Sequence, residues 1–250
     1  YERTKRNYPN EMFFFQQYPR NEVEAFLAAG GCPFDIDDIN FYLENYIMEP
    51  LDPQEVKKAW PGGMPEPLSR FFAFDDLQVW DLPKGHEYLV TFDPATGKEN
   101  GDYHGIHVLL LAPKIEQVLE LRTRCDLDEA TYAFYLLGQA YPNALLVWER
   151  TGIGAAVTNL LSRFHAGNLY EHEDVVAEIN KRRPGYKPAK ATNVNNWGWP
   201  ATPANVHMRD QDLISGFRDH DIIIHSKRCL DEQKAFVRQS DGRYRASGRA

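Results

Sequence analysis

Long apolar runs are missing from this 250-residue sequence. No stretch approaches the ~20 residues a helix needs to cross a bilayer, and no basic segment leads into an apolar stretch with a small-residue cleavage site. Neither a membrane span nor a secretory signal is expected. Cysteine is scarce: Cys32, Cys125 and Cys229 stand far apart, which gives neither a disulfide framework nor a CxxC zinc site and points to a reducing compartment. The phosphate-loop pattern GxxxxGK[ST] is absent, so the chain is not expected to hydrolyse ATP by itself. Positive charge is also short, with 28 Lys+Arg against 36 Asp+Glu and a formal net charge of −8. That deficit is uneven, because residues 1–180 carry net −15 and residues 181–250 carry +7. Such asymmetry suits an acidic centre beside a basic surface, or simply a solvated face.

The length fits one large domain, or a domain with an appended piece, burying about three quarters of its unfolded surface. The chain begins at Tyr1 rather than Met, and a fragment of a longer protein is expected. Asn21 with Glu24 can cap a first helix, and Asp37 to Ile47 can form another. Pro50, Pro53, Pro61, Pro65 and Pro67 then crowd a short span that reads as a linker or irregular connection. From Arg70 the pattern turns to strands, over Phe72–Trp80, Glu87–Phe92, Tyr103–Leu111 and Ile115–Leu121. A helix over Asp126–Gly138, a strand over Ala144–Trp148, a helix over Ile153–Phe164 and a short strand at Asn168–Tyr170 follow. Lys181 to Pro203 has no period and reads as a loop or hairpin. A helix over Val206–Phe217, a strand over Asp221–His225 and a helix over Cys229–Val237 complete the pattern. A meander followed by strand–helix alternation implies an α/β mixed sheet with helices packed on its faces.

Two strands end on acids. Leu89–Phe92 runs into Asp93, and Ala144–Trp148 runs into Glu149 ahead of Gly152 and Gly154. An ionised carboxylate is costly to take from water unless a cation or hydrogen bonds meet it. Hard cations such as Mg²⁺ and Mn²⁺ take oxygen ligands, so Asp93, Asp102 and Glu149 are candidates for a two-metal phosphodiester-cleaving centre. Alternatively Asp93 and Asp102 are turn residues in FDPATG and NGD, and Glu149 pairs with Arg150. Lys181, Arg182, Arg183, Lys187 and Lys190 could neutralise DNA phosphates or be merely solvated. Trp197 and Trp199 either stack on bases or pack over the sheet edge. His104 and His107 fall on opposite faces of a strand, and His104, near Asp102, suits a role behind the site. His220 and His225 read as surface residues, and Cys125 and Cys229 as packing residues.

Phe92-Asp93-Pro94-Ala95, Gly101-Asp102-Tyr103-His104, Tyr141-Pro-Asn-Ala144 and Val147-Trp-Glu149-Arg150 with Gly152-x-Gly154 together resemble the nuclease domain of the large terminase subunit of tailed bacteriophages. Phe15-Gln-Gln-Tyr-Pro19 with Glu24-Ala-Phe26 resembles the close of that family's ATPase domain, and Gly198-Trp199, Ile222–His225 and Glu232–Val237 its C-terminal nuclease segment. The resemblance implies a ribonuclease-H-like sheet with helices on both faces over residues 67–250, preceded by the end of an ATPase domain and a linker over 1–66. It also implies an endonuclease using two Mg²⁺ or Mn²⁺ ions to cut concatemeric double-stranded viral DNA in the host cytoplasm, alongside portal protein and small terminase subunit. Asp93 and Glu149 would be direct ligands and Asp102 a further acid beside the metals. The family's third acidic position is expected beyond Ala250, with Asp241 too early to replace it. Another ribonuclease-H-like enzyme, a resolvase or strand-transfer enzyme, or a non-catalytic DNA-binding packaging module are the alternatives.

Overall fold

The computed structural model describes residues 32–98, 101–172, 196–238 and 244–246. In chain order these form α1 (Ile36–Asn45), α2 (Pro53–Ala59), α3 (Glu66–Ser69), a 3₁₀ turn (Arg70–Phe74), β1 (Leu77–Val79), β2 (Tyr88–Asp93), β3 (His104–Leu110), β4 (Ile115–Thr123), α4 (Leu127–Ala140), β5 (Ala144–Trp148), α5 (Gly154–Arg163), α6 (Pro203–Arg218), β6 (Ile222–Ile223), α7 (Lys227–Lys234), β7 (Phe236–Arg238) and β8 (Tyr244–Ala246). No helix among them is long and apolar enough to cross a membrane. The described residues divide into two compact units, one within 50–205 and one from residues up to 49 together with those from 206 onward.

The unit within 50–205 holds the sheet. Its strands run in the order β1-β4-β3-β2-β5, antiparallel except for the β2/β5 pair. This is the α/β, ribonuclease-H-like mixed sheet expected from the sequence. Alternation decides the core face: Tyr88, Val90 and Phe92 of β2 and Ala144, Leu146 and Trp148 of β5 are all buried, while the residues between them are not. Against that face α4 sets Ala130, Ala133, Phe134 and Leu137, a helical spacing that makes one apolar stripe. Phe134 touches both Phe92 and Trp148. Asp128 and Glu129 occupy the first turn of α4, where the helix dipole favours acids. Asn143, with φ of 56°, turns the chain back into β5.

The Pro-rich span, expected to be a linker or irregular connection, instead carries α2 and α3. Asp52 caps α2 by accepting from the N–H groups of Gln54 at 2.9 Å and Glu55 at 3.2 Å, and Pro53 stands at the first turn, where no N–H is needed. Val56, Trp60 and Leu68 are buried in the sheet's own core. The strand expected from Phe72 begins only at Leu77, because the aromatic run before it closes a 3₁₀ turn through Asp75 at φ 56°. Asn168–Tyr170 adds a single parallel bridge, Leu169 to Leu146, outside β5.

The other unit is built on aromatic contacts. Asp35 caps α1 by accepting from Asp37 N–H at 2.8 Å. From α1, Tyr42 stacks on Phe217 at 4.0 Å, with Phe34 edge-on to the same ring at 4.9 Å. Two histidines expected at the surface belong to this core: His220 stacks on Phe41 at 3.9 Å, and buried His225 donates from Nδ1 to the Tyr46 carbonyl at 2.7 Å. The aromatic face of α1 supplies partners that a local reading of 220–225 cannot see. Ser226 caps α7 by accepting from Cys229 N–H at 3.1 Å. The last expected helix ends at Lys234, because Phe236–Arg238 pairs antiparallel with Tyr244–Ala246.

Candidate active site

β2 and β5 run parallel with Phe92 in register with Trp148. One residue further on, the Glu149 N–H donates to the Phe92 carbonyl at 3.1 Å, which carries the ladder past the strand ends. Asp93 and Glu149 therefore stand side by side on neighbouring strands, about 4.8 Å apart across the sheet. Both are one step out of phase with buried Phe92 and Trp148, so both side chains leave the face away from the core. Asp93 is exposed and Glu149 half-buried. Like charges directly opposed are destabilising, and strand propensity does not select them.

Asp102 is exposed and lies in the β2–β3 connection, two residues before β3, at the same end of the sheet. Among the described residues no group of three or more His, Cys, Asp or Glu side chains is placed to hold a metal ion. Asp93 and Glu149 are thus neighbours in register, and Asp102 lies in the adjoining connection at the same end of the sheet. Lys181, Arg182, Arg183, Lys187, Lys190 and Asp241 lie outside the described residues. Trp197 is half-buried against the core, as in the sheet-edge alternative, and the backbone of half-buried Trp199 bridges in parallel to Glu149.

The two acids hang on short, tightly fitted turns. His104 is fully buried; its Nδ1 accepts from Ala95 N–H at 3.0 Å and its Nε2 donates to the Cys125 carbonyl at 3.0 Å. This pairing requires the neutral ring, and burial lowers the His104 pKa accordingly. The imidazole so ties the Asp93-Pro94-Ala95 turn to the end of β4. Gly97, at φ 66°, completes the fit: a Cβ there would stand 2.1 Å from the Cys125 carbonyl oxygen. On the other acid's side, a Cβ on Gly154 would stand 1.7 Å from the Glu149 carbonyl oxygen. The start of α5 can approach Glu149 only because residue 154 is glycine. Arg150 N–H donates to the Trp199 carbonyl at 2.9 Å, and Thr151 Oγ1 accepts from Ala201 N–H at 2.8 Å, pinning the same turn from outside.

Sequence reasoning placed His104 near the site but did not foresee its two backbone partners. The signal was a histidine at a strand start whose neighbours on both sides alternate outward. Burial pushes the thiol of Cys125, beside His104, up to about 11, which disfavours the thiolate.

No protein-family model matches the sequence, and no curated protein does. Among solved structures, the large terminase nuclease from thermophilic phage G20c superposes with a TM-score of 0.54 at 16% identity, over 88% of this chain and 91% of that one. The fold is that of the large terminase nuclease. A second structure of the G20c nuclease, with bound magnesium, gives 0.53 at 17% identity over 85% and 89%. The Thermus phage P74-26 large terminase nuclease domain gives 0.50 at 16% over 84% and 86%. At such identities the terminase-nuclease likeness is one of fold.

The donor set at the strand ends suits a hard divalent cation. Mg²⁺ keeps several waters and is commonly held by one or two carboxylates plus substrate phosphates, rather than by an all-protein cage. Two adjacent carboxylates, one of them exposed, offer that partial cradle.

Proposed function

We propose that this chain is a metal-dependent DNA endonuclease belonging to a large terminase subunit, cutting concatemeric viral DNA during genome packaging in the host cytoplasm. The observation that carries the reading is the in-register placement of Asp93 and Glu149 at neighbouring strand ends of a ribonuclease-H-like sheet. The terminase-nuclease fold supports it, as does the bound magnesium in one of the similar structures. In this reading Asp93 and Glu149 hold two Mg²⁺ or Mn²⁺ ions and Asp102 is a further acid beside them. Bound there, the ions supply Lewis-acid stabilisation of the charge that develops on the phosphodiester oxygens.

The chain's own residues do the rest. Asp93 and Glu149 present their carboxyl groups from adjacent strand ends of the sheet. His104 and Gly97 fix the turn after Asp93, and Gly154 fixes the turn after Glu149, so neither acid relocates when DNA arrives. Lys181, Arg182, Arg183, Lys187 and Lys190 neutralise phosphates of double-stranded DNA without reading bases. Portal protein and small terminase subunit are the packaging partners, and ATP hydrolysis is left to another part of the machine.

Plasmid nicking in Mn²⁺, with isothermal titration of Mn²⁺, tests this on wild type, Asp93→Ala and Glu149→Ala. Wild type should bind Mn²⁺ and cleave, and each variant should lose both while keeping its circular dichroism spectrum. Cleavage and Mn²⁺ affinity unchanged in both variants would remove the reading.

A further inference from the structure

β5 ends the strand order, and its outer edge is covered by two different pieces of chain. The first lies along Leu146: Leu146 N–H donates to the Asn168 carbonyl and Tyr170 N–H to the Leu146 carbonyl, both at 2.9 Å. Beyond Tyr170 this piece pairs instead with residues 196–198. Gly198 N–H donates to the Tyr170 carbonyl and His172 N–H to the Asn196 carbonyl, both at 2.8 Å. The second piece, 197–199, takes over the edge where β5 delivers its acid. Trp199 N–H donates to the Trp148 carbonyl at 2.7 Å, and Arg150 N–H donates to the Trp199 carbonyl at 2.9 Å. On the other side the Phe92 carbonyl accepts from Glu149 N–H. The backbone is therefore hydrogen-bonded immediately before, at and after Glu149, which gives an edge residue the restraint of an interior one.

The fit of the second piece depends on one missing side chain and one hydroxyl. Gly198 is buried at φ 82°, and a Cβ on it would stand 2.8 Å from the Trp148 indole and 3.0 Å from the Arg150 Cβ. A larger residue would lift 197–199 away from β5. Past Arg150, Thr151 adds a further rung, because its Oγ1 accepts from Ala201 N–H at 2.8 Å. The Thr151 carbonyl accepts from Gly154 N–H at 3.1 Å, so the same residue opens the turn into α5. Thr151 is exposed. Its side chain adds little to the core, and a hydroxyl facing water has no need of a protein partner. What the bond does is local: it ties the residues that follow Glu149 to the piece that flanks them.

We propose that Thr151 and Gly198 are positioning residues for Glu149: they lock residues 197–201 onto the end of β5 and so hold the Glu149 carboxylate at the spacing from Asp93 that a divalent cation requires. The inference rests on the endonuclease reading and deepens it. Asp93 leaves an interior strand, flanked by β3 and β5, whereas Glu149 leaves the last strand of the order. Of the two acids, Glu149 is thus the one whose backbone needs a partner from outside the named strands. Ligand distances at a metal tolerate deviations of only about 0.2 Å. Misplacement by about 1 Å can cost on the order of 100-fold in rate. Neither Thr151 nor Gly198 touches cation or DNA in this reading; both act through the Glu149 peptide.

The test compares Thr151→Val, which keeps the shape and removes the hydroxyl, with Thr151→Ser, which keeps the hydroxyl. Amide hydrogen exchange in EDTA reads the rung with no metal present, and Mn²⁺ titration with plasmid nicking reads the acid. In Thr151→Val the Arg150 and Ala201 amides should exchange about tenfold faster, the scale of one lost hydrogen bond. Mn²⁺ affinity and kcat should each fall about tenfold, as when a group behind a metal ligand is removed, with KM for DNA little changed. Thr151→Ser should restore exchange, affinity and kcat together. Thr131→Val removes a comparable bond, from Thr131 Oγ1 to the Leu127 carbonyl at 2.7 Å within α4. It should lower the urea midpoint and leave Mn²⁺ affinity and kcat as they are. Gly198→Ala should exceed Thr151→Val in every readout, and if it does not fold the Thr151 pair carries the decision. Wild-type exchange, or wild-type Mn²⁺ affinity and kcat, in folded Thr151→Val overturns the positioning role, and so does an equal loss in Thr151→Ser. Wild type that binds no Mn²⁺ sinks the endonuclease reading instead, and the exchange comparison alone then decides whether the hydroxyl holds the turn.

Discussion

At the Tyr88 end of β2, two phenols and an indole close over one another. Tyr88 accepts from Lys84 N–H at 3.1 Å, Tyr141 donates to the Asp81 carbonyl at 3.1 Å, and Trp60 and Tyr88 both meet the Tyr141 ring edge-on. Five residues along, at the Asp93 end, the same strand delivers an exposed carboxylate beside a second one. The first end converts aromatic surface into rigidity, with both phenol oxygens hydrogen-bonded. The second end places like charges together, on turns that fit only with glycine at 97 and 154. The contrast sets a sealed aromatic end against an end that carries charge, and the proposed function places the chemistry at the second. The two are coupled through register: a one-residue slip of β2 against β5 would send Asp93 to the core face and take buried Tyr88, Val90 and Phe92 out of it.

The sharpest way to break that contrast is at the acids. Asp93→Ala or Glu149→Ala should bring plasmid cleavage below detection, while stability changes by only about 0.5 kcal/mol, as expected for substitutions outside the core. Urea melts beside nicking assays check both halves. A large stability loss on removing Asp93 would mean that it belongs to the scaffold. The reverse experiment is Trp60→Ala, which should cost roughly 3–5 kcal/mol through a buried cavity. Its kcat, measured below the melting transition, should stay near wild type, because the indole lies at the sealed end of the sheet.

Gly154→Ala tests the seam between the two properties. The added methyl would overlap the Glu149 carbonyl oxygen, 1.7 Å away, so the α5 turn must shift. Overpacking of this kind costs about 1–3 kcal/mol. Displacing Glu149 by about 1 Å can cost on the order of 100-fold in rate. Equal losses of stability and none in kcat would show that the turn does not position the acid.

Parts of this organisation were legible in the sequence and parts were not. A hydrophobic strand ending on an acid is a local pattern, so the strand ends at Asp93 and Glu149 were legible from residues alone, and the mixed sheet followed from a meander running into strand–helix alternation. What was lost depended on partners distant in sequence. Pro50 to Pro67 looked irregular because prolines break helix interiors, yet Pro53 sits at the first turn of α2 behind its Asp52 cap, where proline is favoured. Phe71 to Phe74 has the composition of a strand, and only the left-handed Asp75 shows why it is a turn. The bonds that Trp199 makes on either side of Glu149 join residues far apart in the chain and need the folded sheet edge to be seen. His225 looked like a surface residue for the same reason: its carbonyl partner, Tyr46, is far away in the chain.

The smallest effect expected is also the most specific to the sealed end. Burial holds the Tyr141 phenol well above its ordinary range and raises Tyr88 as well. A phenol whose folded pKa is raised favours the neutral form in the folded state. Its contribution is therefore fully present below the unfolded value of about 10 and is lost as pH rises beyond it. Tyr141→Phe removes that titration together with the bond to the Asp81 carbonyl, at a cost of about 1 kcal/mol at pH 7. Between pH 7 and pH 11 the urea midpoint of wild type should fall more steeply than that of Tyr141→Phe, so the two curves converge as the medium becomes alkaline. Parallel curves would mean that the Tyr141 hydroxyl is reached by water, and the sealed end would lose the property that sets it apart from the acid end.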